Sequence, residues 1–259
     1  MADPTGERVP TVIVDDAHVV YKVHGSPASG TGSPIASLKR IVTRTKMANI
    51  REVHAIKGVS FVAYKGEAVG LVGSNGSGKS TLLRAIAGLM PAERGAVYAA
   101  GQPSLLGVNA VLMNDLSGER NVLLGCLAMG MSPAEAKAKV KEIVDFSGIN
   151  ERGEFSTMPM RTYSSGMAAR LRFSISAAKK HDVLLIDEAL ATGDARFRRR
   201  SEQRIRDLRA DAGTVFLVSH SEGTIKDTCE RSIWLESGVI RADGPTEDVL
   251  KEYGAYMSK

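Results

Sequence analysis

The chain has 259 residues, 43% of them hydrophobic, which suffices for one or two domains with a buried core and excludes a disordered chain. Its net charge of +5, from 34 basic against 29 acidic residues, could suit an anionic membrane surface but is too small to argue nucleic-acid binding. Cys126 and Cys229 stand alone, with no CxxC pair and no nearby His cluster, which argues against a disulfide framework or zinc site and makes both small buried hydrophobes.

Residues 1 to 8 read as a tail with no apolar leader region, and no stretch reaches the roughly 18 apolar residues of a membrane span. A soluble, cytoplasmic protein is expected, with any membrane role coming through a partner. Residues 9 to 21 have the β-branched enrichment of a strand. The Gly, Ser and Pro of residues 25 to 37 mark a loop. It leads into residues 35 to 47, where Ile35, Leu38, Ile41 and Val42 recur at helical spacing and Lys39, Arg40, Arg44 and Lys46 lie largely on other faces. That pattern predicts a short basic amphipathic helix. Strands follow at 58 to 64 and 68 to 72, then a helix from about Lys79 to Ala87, ended by Gly88 with Pro91 beyond it. Helical patterns dominate from 114 to 180, including 133 to 146, where Ser132 can cap and Pro133 takes the first helical position. A helix over 168 to 180 has Leu171, Ile175 and Ala178 on one apolar face. Strands at 183 to 186 and 214 to 219 flank a helix from about 194 to 211. Strands and helices on both sides of a helical insert predict an α/β core with a helical subdomain over about 109 to 180.

Gly73-Ser-Asn-Gly-Ser-Gly-Lys-Ser80 fits the pattern GxxxxGK[ST] after an apolar strand and at a helix start. Glycines let backbone N–H groups wrap a phosphate, and the helix N-terminus adds partial positive charge. Lys79 is expected to reach the β and γ phosphates and the Ser80 hydroxyl to bind Mg²⁺. The nucleotide-binding set is therefore Gly73, Ser74, Asn75, Gly76, Ser77, Gly78, Lys79, Ser80 and Thr81. Val183 to Glu188 is an apolar run ending in two acids, the pattern of a buried strand delivering carboxylates to its ligand-binding edge. Asp187 is the expected Mg²⁺ partner and Glu188 the residue that orients or deprotonates the attacking water. Ser164-Ser165-Gly166 opens the next helix upstream, either as a second anion-binding N-terminus or as an ordinary cap.

The set Gly73 to Ser80, Ser164 to Met167, Asp187-Glu188, Asp194 and His220 resembles an ABC-type ATPase domain. The resemblance implies an α/β fold with a RecA-like core, an antiparallel β-subdomain and an α-helical subdomain, filling residues 1 to 259 as one domain. It also implies ATP and Mg²⁺ as cofactors. Two copies would form a dimer that sandwiches nucleotide, with Ser164, Ser165 and Gly166 of one copy facing the γ phosphate held by the other. His220 matches a histidine that contacts the γ phosphate, and Asp194 the loop that signals between the two sites. Tyr21 matches the aromatic that stacks on adenine, with His54 as its rival. The family's usual glutamine before Leu116 is absent: that register gives Val108, with Asn109 beside it as a shorter amide.

The signature Tyr163-Ser-Ser-Gly-Met167, with Leu116 to Asn121 and Val53 to Phe61, is similar to the ATPase subunits of bacterial polysaccharide exporters of the O-antigen, capsule and teichoic-acid group. This implies a transmembrane permease partner, a lipid-linked glycan substrate, a peripheral place on the cytoplasmic face of the inner membrane, and no nucleic acid. In this group the insertion over 25 to 51 forms a helix beside the substrate entrance, so Lys39, Arg40 and Arg44 are expected to face lipid headgroups or a polyprenyl pyrophosphate. With the sequence stopping at Lys259, the extra carbohydrate-binding domain of some exporters is not expected, and a glycan such as a galactan precursor, exported by the actinobacterial system, is the substrate expected. A soluble ABC ATPase acting on ribosomes or nucleic acid is the alternative.

Overall fold

The structure is a computed structural model that describes residues 8–24, 50–106, 112–179, 181–187, 195–211, 213–219 and 221–258. The expected basic helix over 35 to 47 lies outside them. Two sheets organise the chain. An antiparallel sheet has the order β2-β1-β4, from β1 (Pro10–His24), β2 (Ile50–Tyr64) and β4 (Arg94–Ala99). A six-stranded sheet has the order β5-β6-β7-β3-β8-β9, from β5 (Ser104–Leu105), β6 (Val183–Asp187), β7 (Thr214–Val218), β3 (Ala68–Val72), β8 (Arg231–Glu236) and β9 (Val239–Pro245). Its strands run parallel except β9, which returns antiparallel to β8.

The sequences Ala68 to Val72, Val183 to Asp187 and Thr214 to Val218 are nearly continuous apolar runs because both faces of these strands are covered. On one face, α1 (Lys79–Ile86) puts Leu82, Leu83 and Ile86 against Val69, Leu71, Val183, Leu185 and Phe216, and the same core takes in Val12, Val14, Ile56 and Phe61 of the antiparallel sheet. On the other face, Leu184, Ile186, Val215 and Leu217 pack on Phe173 of α4 (Ser165–Ser176), Phe197 of α5 (Ala195–Asp211), Ile225 of α6 (Glu222–Thr228) and Val249 of α7 (Thr246–Met257). A third core, built from Val122, Cys126, Ile143, Val144, Leu171 and Ile175, joins α2 (Gly118–Ala128), α3 (Pro133–Ser147) and α4 into the helical subdomain. Cys126 and Cys229 are both buried, as expected. Leu171 and Ile175 of α4, and Ala178 just beyond its end, are buried in the third core.

Several boundaries differ from the sequence reading. β2 starts at Ile50, eight residues before Gly58, because the long β1 offers it a partner through Tyr21↔Val53 and on to His24↔Ile50. Helix α4 starts at Ser165, since Ser164 caps it by accepting from the Met167 N–H at 3.2 Å, and it ends at Ser176. β4, β5, β8, β9, α6 and α7 went unread: β4 is a half-exposed edge strand, and β8 is a short apolar run whose parallel partner β3 is far away in sequence. Among the described residues no helix is long and apolar enough to cross a membrane.

Asn121, fully buried, fixes the entry to the helical subdomain. Its Oδ1 accepts from Met113 N–H at 2.7 Å, and its Nδ2 donates to the carbonyls of Met113, Leu116 and Ser117 at 3.0 to 3.1 Å. Asn121→Leu leaves the buried Met113 N–H without its acceptor and takes one of two donors from each carbonyl, the N–H groups of Leu116, Met160 and residue 121 remaining, so it should lower unfolding stability by about 1–3 kcal/mol. Urea denaturation checks this as a reduced midpoint with an unchanged slope.

Candidate functional site

β3 feeds directly into the glycine loop and α1, at the carboxyl edge of the parallel sheet where ligands bind in open α/β folds. Three glycines of the loop have left-handed φ: Gly73 at 144°, Gly76 at 81° and Gly78 at 111°. A Cβ on Gly73 would overlap the Leu235 carbonyl oxygen, and one on Gly78 would lie 2.6 Å from that of Ala55. At Gly76 a Cβ would meet nothing within 4 Å. Two glycines thus let the loop pack on β8 and β2, while the third borders open space. Gly73→Ala should cost about 3 kcal/mol through strain and overlap, and Gly76→Ala about 1 kcal/mol through backbone strain alone. Thermal melts of the two variants side by side check the ranking.

The loop borders a cleft of about 470 Å³ lined by Tyr21, Val53, His54, Ala55 and Lys57 from the antiparallel sheet, residues 75 to 81, Asp187, Val218 and Ser237. Lys79 is 9% exposed, and its Nζ donates to the carbonyls of Gly73 at 2.7 Å and Ser74 at 2.9 Å. Burial pushes its pKa below the ordinary lysine value, against the opposing pull of Glu236 and Asp187. Helix α1 starts at Gly78 with no side-chain cap and no acid in its first turn, whereas serines 117, 132, 164 and 221 cap α2, α3, α4 and α6. Its first-turn N–H groups and dipole are therefore left for an anion in the cleft. Uncapped donors, a buried ammonium and open space at Gly76 fit a phosphate chain.

Ser80, in the first turn of α1, and Asp187, the last residue of β6, line the same cleft. Among the described residues no three His, Cys, Asp or Glu gather to hold a metal by themselves. That donor set fits Mg²⁺, which keeps several waters and takes one or two protein oxygens together with those of a phosphate ligand.

Tyr21 lines the cleft through β1, its hydroxyl 3.2 Å from that of Thr81. His54 lines it from β2, paired with Val20 beside Tyr21, so the two aromatic candidates sit together. Thr81 is buried, its hydroxyl tied to Tyr21. Ser164 and Ser165 are exposed and Gly166 half-buried at the start of α4, and none of the three lines the cleft. Glu188, Asp194 and His220, like Val108 and Asn109, lie outside the described residues. Sequence reasoning missed Lys57, Ser237 and Glu236. The apolar run Ser232 to Leu235 followed by Glu236 repeats the strand-then-acid pattern of Val183 to Asp187 and could have flagged the last of them.

A parallel sheet that delivers a glycine loop and a carboxylate to one cleft, flanked by an antiparallel sheet and a helical subdomain, defines an ATP-binding cassette. The chain belongs to the ABC transporter family, whose model matches residues 56–191. It is 40% identical over 205 residues to the teichoic acids export ATP-binding protein TagH of Enterococcus faecalis, covering 79% of this chain and 45% of that protein. It is 39% identical to the O-antigen export system ATP-binding protein RfbB of Myxococcus xanthus, over 80% of this chain and 47% of that one. With TagH of Staphylococcus epidermidis the identity is 39%, over 79% and 76%. The chain thus spans less than half the length of the first two relatives. Its fold is similar to the dimeric, post-hydrolysis ATP-binding cassette MJ0796 bound to ADP and Pi, with a TM-score of 0.66 at 21% identity over 91% of this chain and 98% of that one.

Proposed function

We propose that this chain is the ATP-binding and hydrolysing subunit of an ABC exporter that drives a lipid-linked polysaccharide across the cytoplasmic membrane. The observation that carries the reading is the loop 73 to 78 folded around the Lys79 ammonium, in a cleft shared with Ser80 and Asp187.

In this reading the loop N–H groups and Lys79 hold the phosphates of ATP, and Tyr21 or His54 stacks on adenine. Ser80 and Asp187 would hold Mg²⁺, which when bound neutralises charge on the phosphates. Glu188 orients or deprotonates the attacking water, His220 contacts the γ phosphate, and Asp194 signals between sites. Ser164, Ser165 and Gly166, exposed on the helical subdomain, complete the site of a second copy, so closure of the pair and hydrolysis are coupled. Asn109 stands in for the missing glutamine. The protein works on the cytoplasmic face of the membrane, held there by a permease.

The polysaccharide class is supported by the relatives that export teichoic acids and O-antigen. Affinity purification from detergent-solubilised membranes should recover a permease, and ATP hydrolysis by the recovered complex should rise with a lipid-linked glycan. A panel including galactan and teichoic-acid precursors identifies the cargo. Recovery of ribosomes or nucleic acid in place of a permease would sink the export reading.

A further inference from the structure

The turn between β8 and β9 grips the phosphate loop at several points. Glu236 Oε1 accepts from the Ser74 hydroxyl at 2.5 Å, and Oε2 accepts from the Ser74 N–H at 3.3 Å. The Gly238 N–H donates to the Ser77 carbonyl at 2.9 Å, while the Gly238 carbonyl accepts from the Lys57 N–H at 2.8 Å. The Leu235 carbonyl oxygen occupies the space that a side chain on Gly73 would need. Ser237 and Gly238 take left-handed φ values of 52° and 86°, which give this turn one tight shape.

Glu236 is 7% exposed, an unusual place for a carboxylate unless its oxygens are satisfied. Burial by itself would raise its pKa, but the two donors of Ser74, the Trp234 side chain and the charge of Lys79 outweigh that and hold it below the ordinary carboxylate value. Hydrogen bonds to a charged acceptor are among the stronger ones a protein makes. Glu236 therefore binds the loop firmly while standing behind Ser74.

We propose that Glu236 is a positioning residue for nucleotide binding, its carboxylate clamping Ser74 so that the phosphate loop is already shaped for phosphate before the ligand arrives. The proposal rests on the reading of the cleft as an ATP site. Two effects compete. The negative charge of Glu236 repels a triphosphate, whereas the clamp removes the ordering entropy that a free loop would lose on binding. Both carboxylate oxygens are engaged with Ser74 and the charge is opposed by Lys79, so the ordering effect wins.

Titration of the purified chain with Mg-ATP, alongside melting temperatures without nucleotide, tests this. Glu236→Ala should weaken affinity about tenfold and Ser74→Ala about threefold, with the double variant no weaker than Glu236→Ala alone, because both remove one interaction. Glu236→Gln should recover part of the loss, since its amide oxygen can still accept the Ser74 hydroxyl. For the Glu236 variants, turnover at saturating ATP should change little while KM rises. ATP binding by Glu236→Ala as tight as wild type or tighter, additive losses in the double variant, or a lower melting temperature with unchanged KM would each overturn the proposal. If Glu236→Ala does not fold, the Glu236→Gln and Ser74→Ala cycle reads the same coupling. Wild type that binds no nucleotide overturns the ATP-site reading itself, and that result needs no variant.

Discussion

Lys79→Met should lose at least about a hundredfold in ATP affinity and hydrolysis while the protein stays folded. The substitution keeps an apolar stem of similar length at the first position of α1 and removes the ammonium that bonds the Gly73 and Ser74 carbonyls. Those carbonyls lose one donor, and the desolvation cost of the buried ammonium goes with it. The lysine pKa is depressed by burial, which means the folded state holds this proton less tightly than the unfolded chain does. Protonated Lys79 therefore costs stability below its folded pKa, and the cost disappears as pH rises towards the unfolded lysine value. Removing the charge should leave the melting temperature at neutral pH unchanged or raised. Fluorescent ATP-analogue binding, phosphate release and a thermal melt on one preparation separate the two effects. Full ATP affinity in Lys79→Met would remove the phosphate-binding role from the loop.

Glu188→Gln should bind ATP normally but hydrolyse it about 10² to 10⁴ times more slowly. Asp187 closes β6 at the cleft, paired in register with Val218 of β7, and Glu188 is the next residue in the sequence. Glutamine has the same size and retains hydrogen bonding, yet it cannot accept a proton from water, which isolates the base from its geometry. With hydrolysis blocked and binding intact, an ATP-bound pair of chains should accumulate and elute earlier in size exclusion with Mg-ATP than with ADP. An enzyme that turns over at the wild-type rate would overturn the assignment to Glu188.

The sequence by itself determined the features whose physics is local. The glycine loop, the capped starts of α3 and α4, and the apolar strand ending at Asp187 each carry a residue pattern only a few positions long, so Gly78-Lys79-Ser80 or Ser132-Pro133 could be read directly. Tertiary structure decided what depends on distant partners. β2 reaches back to Ile50 because β1 is there to pair with it, and the half-exposed β4 exists as an edge of that sheet. Tyr21 meets Thr81 across 60 residues, and Glu236 meets Ser74 across 162. No periodicity or spacing carries such pairings, since they arise when separate strands close on one another and bury what lies between. The phosphate loop was legible in the order of its residues. What holds that loop in shape became visible once β8 and its turn were placed behind it.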